Sequence, residues 1–257
     1  MTTRLFPADP ALNDLVLVLI AFLYVLVIIG VSMVLKKKGV ISSHTARKIV
    51  HLFAGISCFI VPFLFVPWYA LFVSVTFLVV TRVSTPKTQI FQTMGEKEER
   101  VIGYLAGPFS YALSINILVI IFSIPGMTRF FFFPAASILV MMISDTAASF
   151  FGRRYGKHKY TLKYTRTTRS IEGSLALFVS AFILSLFAFT FFGFWFSGNQ
   201  NTMTVEYIVL LSLLVAAIST ILEAVSPTDI DDLIVPIAGC LVSFLLTLAL
   251  FPVFLGL

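Results

Sequence analysis

The chain has 257 residues, of which 59% are hydrophobic and only 12% are charged. Soluble domains carry about 25% charged residues, so this composition excludes a soluble globular enzyme and indicates an integral membrane protein. The formal net charge is +6, and no nucleic-acid partner is expected.

Eight apolar segments approach or exceed the roughly 20 residues that a helix needs to cross a bilayer. The predicted fold class is therefore all-α: a polytopic membrane protein with about eight transmembrane helices, in a single integral membrane domain covering residues 1–257. The first segment follows an acidic stretch, Asp9 and Asp14, and is predicted to be a retained span. The third segment is the shortest. The predicted spans are about 15–35, 49–66, 68–83, 101–124, 130–151, 173–196, 205–224 and 233–255.

Three connections hold 16 of the 18 basic residues, and only Arg4 and Arg129 fall on the other side of the predicted membrane. Because Lys and Arg mark cytoplasmic loops, these connections are predicted to be cytoplasmic, and topology alone is the preferred explanation for Lys36–Lys38. Topology does not explain why acidic residues gather at the same span ends. The basic connections are 36–48, 82–100 and 152–172, and the acidic residues are Asp145, Glu172, Glu223, Asp229, Asp231 and Asp232.

The stretch "ARKIVHLFAG" (46–55) opens the second predicted span. Arg47, Lys48 and His51 are spaced three and four residues apart, so they share one side of a helix. A lone histidine here is often a hydrogen-bonded core residue. With two cations beside it, contact with a polyanion is an equally good interpretation, and proton transfer by His51 is a further one.

Asp145 lies about two turns inside the predicted end of the fifth span, at a depth where ionisable residues are costly and usually functional. Asp145, Ser149 and Gly152 follow the i, i+4, i+7 spacing of one helical face. A carboxylate there could hold Mg²⁺, which takes one or two carboxylates together with substrate phosphates. The alternative is a carboxylate paired with an arginine for packing.

A basic run follows, in which Gly152 and Gly156 bracket Arg153 and Arg154. Glycine lets backbone N–H groups approach a phosphate closely, although a cationic loop could also simply attract anionic lipid headgroups. The segment G-R-R-Y-G-K-H is one residue short of a P-loop and has His158 where the hydroxyl should be. The sequence contains no G-x-G-x-x-G fingerprint either.

Two further stretches carry acidic residues at span ends. In "RSIEGSLALF" (169–178), Ser170 could cap the sixth span and Glu172 could complement its helix dipole; alternatively, Glu172 is a metal or ribose ligand. In "LEAVSPTDIDDLIVP" (222–236), Glu223 lies at the C-terminal end of a helix, where an anion is unfavourable, which hints at a function. Asp231 and Asp232 precede the last span, where anions are favoured, and one of them is a possible metal ligand.

Four stretches occur in the order seen in a family of membrane lipid kinases: "ARKIVHLFAG", "SDTAASFFGRRYGKHK", "RSIEGSLA" and "EAVSPTDIDDLIVP". Over residues 46–240 the chain resembles the CTP-dependent dolichol, phytol and polyprenol kinases and the CTP-dependent diacylglycerol kinase of yeast. The resemblance implies transfer of the γ-phosphate of CTP to a lipid hydroxyl with a divalent metal such as Mg²⁺. Relatives often have Asp-Asn where this chain has Asp231-Asp232, so the ligand there is open.

The resemblance also implies roles residue by residue. Arg47, Lys48 and His51 match an R-K-x-x-H element; Ser170, Glu172 and Gly173 match S-x-E-G; Glu223 and Asp232 match a late acidic element loosely. The D…G-[RK]-x-x-G-K element is matched by Asp145, Gly152, Arg153, Gly156 and Lys157.

These assignments give a hypothetical site on the cytoplasmic face. Asp145, Glu223 and Asp232 are the predicted metal ligands, and Asp145, His51 and Glu172 the predicted catalytic residues. The predicted nucleotide-binding residues are Arg47, Lys48, Gly152, Arg153, Arg154, Gly156, Lys157 and Ser170.

Two alternative functions stay open at this point. Phosphatidate cytidylyltransferases have a sequence pattern similar to residues 145–173. They also carry a later K-D…H-G-G…D-R stretch, which this chain lacks. An anion transporter would be expected to place intramembrane charges along a path to both sides, whereas the charges here lie towards one predicted face. The expected partners are a lipid alcohol, a nucleoside triphosphate and the bilayer; the residues indicate neither the acceptor lipid nor an oligomeric state.

Overall fold

The computed structural model describes residues 4–162, 167–227 and 230–251, and within these ranges the chain is helical apart from one short hairpin. It divides into an N-terminal unit of residues 4–123 and a C-terminal unit that begins at residue 124. Lys163, Arg166 and Asp229, which belong to the predicted charged clusters, lie outside the described residues, as does the end of the last predicted span.

The N-terminal unit contains helices whose ends are set by side-chain caps. The Asp9 carboxylate accepts the N–H of Leu12 at 3.0 Å at the start of the first helix, and the Ser42 hydroxyl accepts the N–H of Thr45 at 3.1 Å at the start of the second, as N-cap residues do. The helices are α1 (Pro10–Lys37), α2 (Ser43–Ala54, continued by the 3₁₀ segment Gly55–Phe63), α3 (Leu71–Val83, preceded by the 3₁₀ segment Pro67–Ala70), α4 (Gln89–Met94), α5 (Lys97–Ile102) and α6 (Ala106–Ser123).

The C-terminal unit is organised around one central helix, α9, which packs against α7, α8 and α10. A two-stranded antiparallel hairpin precedes this helix and pairs Tyr160 with Arg169. The elements are α7 (Phe132–Leu139), a π-helical turn (Val140–Ser144), α8 (Asp145–Tyr155), β1 (Lys159–Thr161), β2 (Thr168–Ser170), α9 (Ile171–Thr190, continued by a second π-helical turn, Phe191–Trp195), α10 (Val205–Val225) and α11 (Asp231–Leu250).

Aromatic side chains form the core of this unit. Phe132 and Phe133 at the start of α7 both contact Phe189 of α9 edge-on, with ring centroids 5.7 and 5.6 Å apart, a favoured geometry for aromatic pairs. These three side chains are fully buried. By contrast, Leu175 and Val179 on α9 are exposed, as expected for a helix face that contacts lipid.

The predicted all-α, multi-pass fold is confirmed. Seven helical segments of the described chain are long and apolar enough to cross a membrane, and Pro67–Val83 is a shorter apolar helix that corresponds to the short third predicted span.

Several predicted boundaries were wrong, among them the starts of the first and second spans, which lie at Pro10 and Ser43 rather than 15 and 49. The fourth span begins at Ala106 rather than 101, because residues 101 and 102 belong to α5. That helix ends at Ile102 and is capped by Gly103, whose φ of 88° suits a residue without a side chain. The fifth span continues past Gly152 to Tyr155. The hairpin was not predicted, and the prediction of a single domain stays a prediction.

Candidate active site

Asp145 follows directly on a π-helical turn. The long helical segment that begins at Phe132 changes to π-helical geometry over Val140–Ser144, and α8 begins at Asp145. Such turns are rare and occur frequently at functional sites. The side chain of Asp145 is half-buried within this segment, so the backbone irregularity and the intramembrane carboxylate coincide.

Four carboxylates from three helices meet beside this turn. Asp145 of α8, Glu223 near the end of α10, and Asp231 and Asp232 at the start of α11 line one small cavity of about 10 Å³. Carboxylate oxygens of Asp145 and Asp232 lie within 4.8 Å of each other. A cavity of this size holds about one water-sized group, and hard oxygen donors are those that Mg²⁺ prefers. The donor set and the space therefore fit a small divalent cation.

Arg169, the middle residue of β2, contacts this acidic cluster. Its Nη1 forms an ion pair with Oε1 of Glu223, and its Nη2 lies 3.7 Å from Oδ2 of Asp231. Nη2 also donates to the backbone carbonyl of Ser226 at 3.1 Å, just beyond the end of α10. Glu223 lies near the C-terminus of α10, where the helix dipole disfavours a negative charge. The guanidinium of Arg169 compensates for this unfavourable position.

A larger pocket of about 710 Å³ shares Glu223 with the small acidic cavity, because this residue lines both spaces. Three cationic side chains, Arg153, Lys159 and Arg169, line it together with the hydroxyl-bearing Ser170. Small-molecule sites commonly occupy about 300–1,000 Å³. The pocket is therefore large enough for a nucleotide and carries the charge that polyphosphates require.

Three glycines of the pocket wall allow α8 and α9 to approach closely. A Cβ on Gly173 would lie 3.1 Å from the carbonyl oxygen of Ala148 and 3.3 Å from Cα of Gly152, and Gly156 packs against Ser170. The N–H of Gly173 donates to Oγ of Ser170 at 3.1 Å, which confirms that Ser170 caps α9. The N–H of Gly156 donates to the carbonyl of Gly152 at 3.1 Å. Helix packing is thus one reason for these glycines.

Replacing Gly156 with Ala is expected to destabilise the protein by about 1–3 kcal/mol, the usual cost of overpacking. The new Cβ would overlap the carbonyl oxygen of Gly152 and lie 2.7 Å from Oγ of Ser170. A matched control is Gly30→Ala in α1, where a Cβ meets no atom within 4 Å and alanine favours the helix. Thermal unfolding in detergent should show a lower midpoint for Gly156→Ala and an equal or higher one for Gly30→Ala; equal midpoints for both would contradict this.

Glu172 faces the hairpin. Its carboxylate accepts the backbone N–H of His158 at 3.2 Å and lies 2.8 Å from Nδ1 of the same histidine. The described lining of the 710 Å³ pocket does not include Glu172, Arg154 or Lys157. Arg154 and Lys157 are exposed. The guanidinium of Arg154 lies over the ring of Tyr155. The predicted roles of these three residues stay predictions.

The second predicted group belongs to the N-terminal unit, on α2. Nη1 of Arg47 bonds Oε1 of Glu99 at 2.9 Å, and the same oxygen accepts the N–H of Gly107 at 2.9 Å. Glu99 is buried, and a Cβ on Gly107 would overlap the guanidinium of Arg47. Arg47 therefore has an ion-pair partner, Glu99, inside its own unit. The predicted contact of Arg47 with phosphate stays a prediction.

The other two residues of this group, Lys48 and His51, are half-buried on the same helix. The backbone carbonyl of His51 accepts the hydroxyl of Tyr111 at 3.0 Å, and the two rings lie 4.6 Å apart. Phosphate binding by Lys48 and proton transfer by His51 stay predictions.

Sequence reasoning did not identify Arg169 and Lys159 as residues of the phosphate pocket, or Glu99 as the partner of Arg47. Arg169 directly precedes Ser170 in "RSIEG", so its position beside a motif was a usable signal. Glu99 is part of the run "GEKEER" (95–100), in which nothing distinguishes the buried carboxylate from the exposed Glu98. Within the C-terminal unit, the two pockets together bring in seven of the predicted residues: Asp145, Gly152, Arg153, Gly156, Ser170, Glu223 and Asp232.

Comparison with known proteins identifies relatives along most of the chain. A phytol kinase of Synechocystis sp. is 29% identical over 226 residues, which cover 88% of this chain and 89% of that protein. A probable chloroplastic phytol kinase 2 of Glycine max is 29% identical over 218 residues, covering 82% of this chain and 68% of that protein. A probable chloroplastic phytol kinase of Zea mays is 34% identical over 144 residues, 55% of this chain and 44% of that protein.

No protein-family model matches the chain, and no solved structure shows significant similarity to it. The names of the relatives nevertheless agree with the lipid kinases that the four motifs resemble. The similarity to phytol kinases extends along most of the chain at 29% identity, which supports a relationship to these lipid kinases.

Proposed function

We propose that the chain is a lipid kinase that transfers the γ-phosphate of CTP, with a divalent metal, to the hydroxyl of a phytol- or polyprenol-like alcohol at the cytoplasmic membrane face. The similarity to phytol kinases along most of the chain supports a phosphotransferase that acts on a lipid alcohol. The observation that supports the proposal most is the position of Glu223, which lines both the basic pocket of about 710 Å³ and the acidic cluster. A triphosphate in the pocket would end beside carboxylates suited to a metal.

In this proposal Asp145 and Asp232 would hold the metal. Bound Mg²⁺ would supply charge neutralisation at the phosphate oxygens. Arg153 and Lys159 bind and orient the polyphosphate, since phosphoryl transfer depends mainly on positioning and electrostatic stabilisation. The lipid hydroxyl oxygen forms a bond to the γ-phosphorus, the bond from that phosphorus to the β,γ-bridging oxygen breaks, and CDP leaves. The hydroxyl proton passes to a nearby base.

The lipid tail needs no enclosed cavity in the protein. Exposed apolar side chains cover the outer face of α9, among them Leu175, Val179 and Ile183 at helical spacing. The acceptor can stay in the bilayer and present only its hydroxyl to the pocket. This arrangement suits a long alcohol such as phytol or a polyprenol, which carries one polar group on an apolar body.

The test uses purified protein with phytol, a polyprenol or diacylglycerol, and with CTP labelled at either the α or the γ position. Label is expected in the lipid from γ-labelled CTP alone, and more with phytol or polyprenol than with diacylglycerol. Transfer from the α position would instead identify a cytidylyltransferase. Competition by unlabelled ATP, GTP and UTP tests the choice of nucleotide; stronger competition by ATP than by CTP would contradict that part of the proposal.

A further inference from the structure

Arg169 connects the acidic cluster to the phosphate pocket. It lines the pocket of about 710 Å³, while its guanidinium pairs with Glu223 and approaches Asp231 at 3.7 Å. Both carboxylates also line the small acidic cavity. The same positive charge therefore faces the space proposed for the triphosphate and neutralises part of the cluster proposed for the metal.

The arginine is held in a fixed position. Its side chain is only 13% exposed, and that of Glu223 only 7%. Its partners come from the end of α10, the following backbone carbonyl of Ser226 and the start of α11. The planar guanidinium suits such a site because it offers several donors in a rigid arrangement.

One donor of this guanidinium has no partner in the part of the chain that the structure describes. Nε of Arg169 is buried and has no hydrogen-bond partner among the described residues. A buried donor without a partner is costly.

The charges of the cluster divide into two pairs. Asp145 and Asp232 have carboxylate oxygens within 4.8 Å of each other, whereas Glu223 and Asp231 face Arg169. Asp231 also lies within electrostatic range of both other aspartates. Without the guanidinium, the uncompensated charge of Glu223 would face a triphosphate in the pocket, and Glu223 and Asp231 would be available to bind additional metal.

We infer that Arg169 is a positioning residue for the lipid-kinase reaction: it holds Glu223 and Asp231 away from the metal, reserves Asp145 and Asp232 for it, and makes the acidic end of the pocket acceptable to a triphosphate. The inference rests on the proposed function. It revises the predicted metal ligands by replacing the direct role of Glu223 with an ion pair to Arg169.

The test compares Arg169→Gln, Glu223→Gln and the double variant, with Arg129→Gln as the matched control. Arg129 belongs to the same unit, is exposed and lies over the ring of Phe130. Binding of Mn²⁺ alone is measured by electron paramagnetic resonance without nucleotide or lipid. Binding of CTP is measured from its stabilisation of the protein against heat at saturating Mg²⁺. Gel filtration checks that each variant is folded.

Arg169→Gln is expected to bind Mn²⁺ at least as tightly as the unmodified chain, because two carboxylates lose their counter-ion. It is expected to bind CTP about tenfold or more weakly, the scale of one lost charge-assisted hydrogen bond. Glu223→Gln in the same chain should restore part of the CTP affinity, because it removes a negative charge to match the lost positive one. Arg129→Gln should change neither quantity.

Weaker binding of Mn²⁺ and CTP together, with no recovery in the double variant, would show that Arg169 only supports the fold and would overturn the inference. Unchanged CTP binding in Arg169→Gln would also overturn it. Failure of the proposed function is seen separately, as label transfer from the α position of CTP by the unmodified chain. The Mn²⁺ measurement still reports on Arg169 in that case, since it involves no phosphoryl transfer.

Discussion

Replacing Asp145 with Asn is expected to reduce lipid phosphorylation by about a thousandfold or more while the protein remains folded. The change keeps the shape of the side chain but removes a carboxylate from the pair with Asp232, whose oxygens lie within 4.8 Å of each other. A metal ion contributes several kcal/mol of charge stabilisation to such reactions, and each 1.4 kcal/mol corresponds to about a factor of ten in rate. The measurement is transfer of γ-label from CTP to phytol.

The same variant should be as stable as the unmodified chain, or more stable, when no metal is added. Asp231 lies within electrostatic range of Asp145 and Asp232, so an amide at position 145 relieves repulsion between like charges. Added Mg²⁺ should raise the unfolding temperature of the unmodified chain, because a ligand that binds the native state stabilises it, but not that of Asp145→Asn.

Glu206→Gln provides the matched control for Asp145→Asn. Glu206 is an exposed carboxylate in the first turn of α10, in the same unit. This variant should retain both activity and the response to Mg²⁺. Full activity of Asp145→Asn, or loss of activity in both variants, would remove Asp145 from the centre of the proposed site.

Sequence patterns predicted the helices well because bilayer-spanning segments are long and uniformly apolar. The segment at 205–224, for example, agrees with α10 (Val205–Val225) to within one residue. The hairpin escaped prediction for the opposite reason. Its strands, Lys159–Thr161 and Thr168–Ser170, have three residues each, too few for a period-two pattern to be distinguished.

The sequence predicted which types of residue form the site, but it did not predict which side chains form ion pairs with each other. Glu223 attracted attention as a carboxylate at the unfavourable end of a helix, with no compensating charge nearby in the sequence. The structure supplies that charge from Arg169 on β2. This contact joins positions far apart in the chain, and only tertiary packing brings them together. The local rule is thus satisfied by a distant residue.

Glycine spacing was informative in a different way. Gly152 and Gly156 suggested a backbone approach to phosphate, and both line the pocket together with Gly173. A Cβ on any of these glycines would also lie close to atoms of Ser170, and one on Gly173 would crowd Cα of Gly152. Sequence alone cannot separate a glycine needed for ligand approach from one needed for helix packing, because both require the missing side chain.

Asp14 shows a structural role that sequence reasoning missed. It was assigned to an acidic stretch that precedes the first span, but it lies inside α1 and is only 1% exposed. Its carboxylate accepts the backbone N–H groups of Phe65 and Val66, both at 2.8 Å, and the side-chain amide of Asn13 at 3.0 Å. Phe65 and Val66 lie between the two 3₁₀ segments, so Asp14 provides acceptors for backbone donors in this link.

Replacing Asp14 with Leu is expected to destabilise the protein by about 2–6 kcal/mol, because two buried N–H groups lose their acceptor at about 1–3 kcal/mol each. Asp14→Asn should cost less, about 1–3 kcal/mol, since its carbonyl oxygen can still accept one of these bonds. Asp9→Asn is the matched control: Asp9 caps α1, and asparagine is as good an N-cap as aspartate. The unfolding midpoint in detergent should fall from Asp9→Asn to Asp14→Asn to Asp14→Leu, and equal midpoints for the two asparagine variants would show that the buried carboxylate does not stabilise the link.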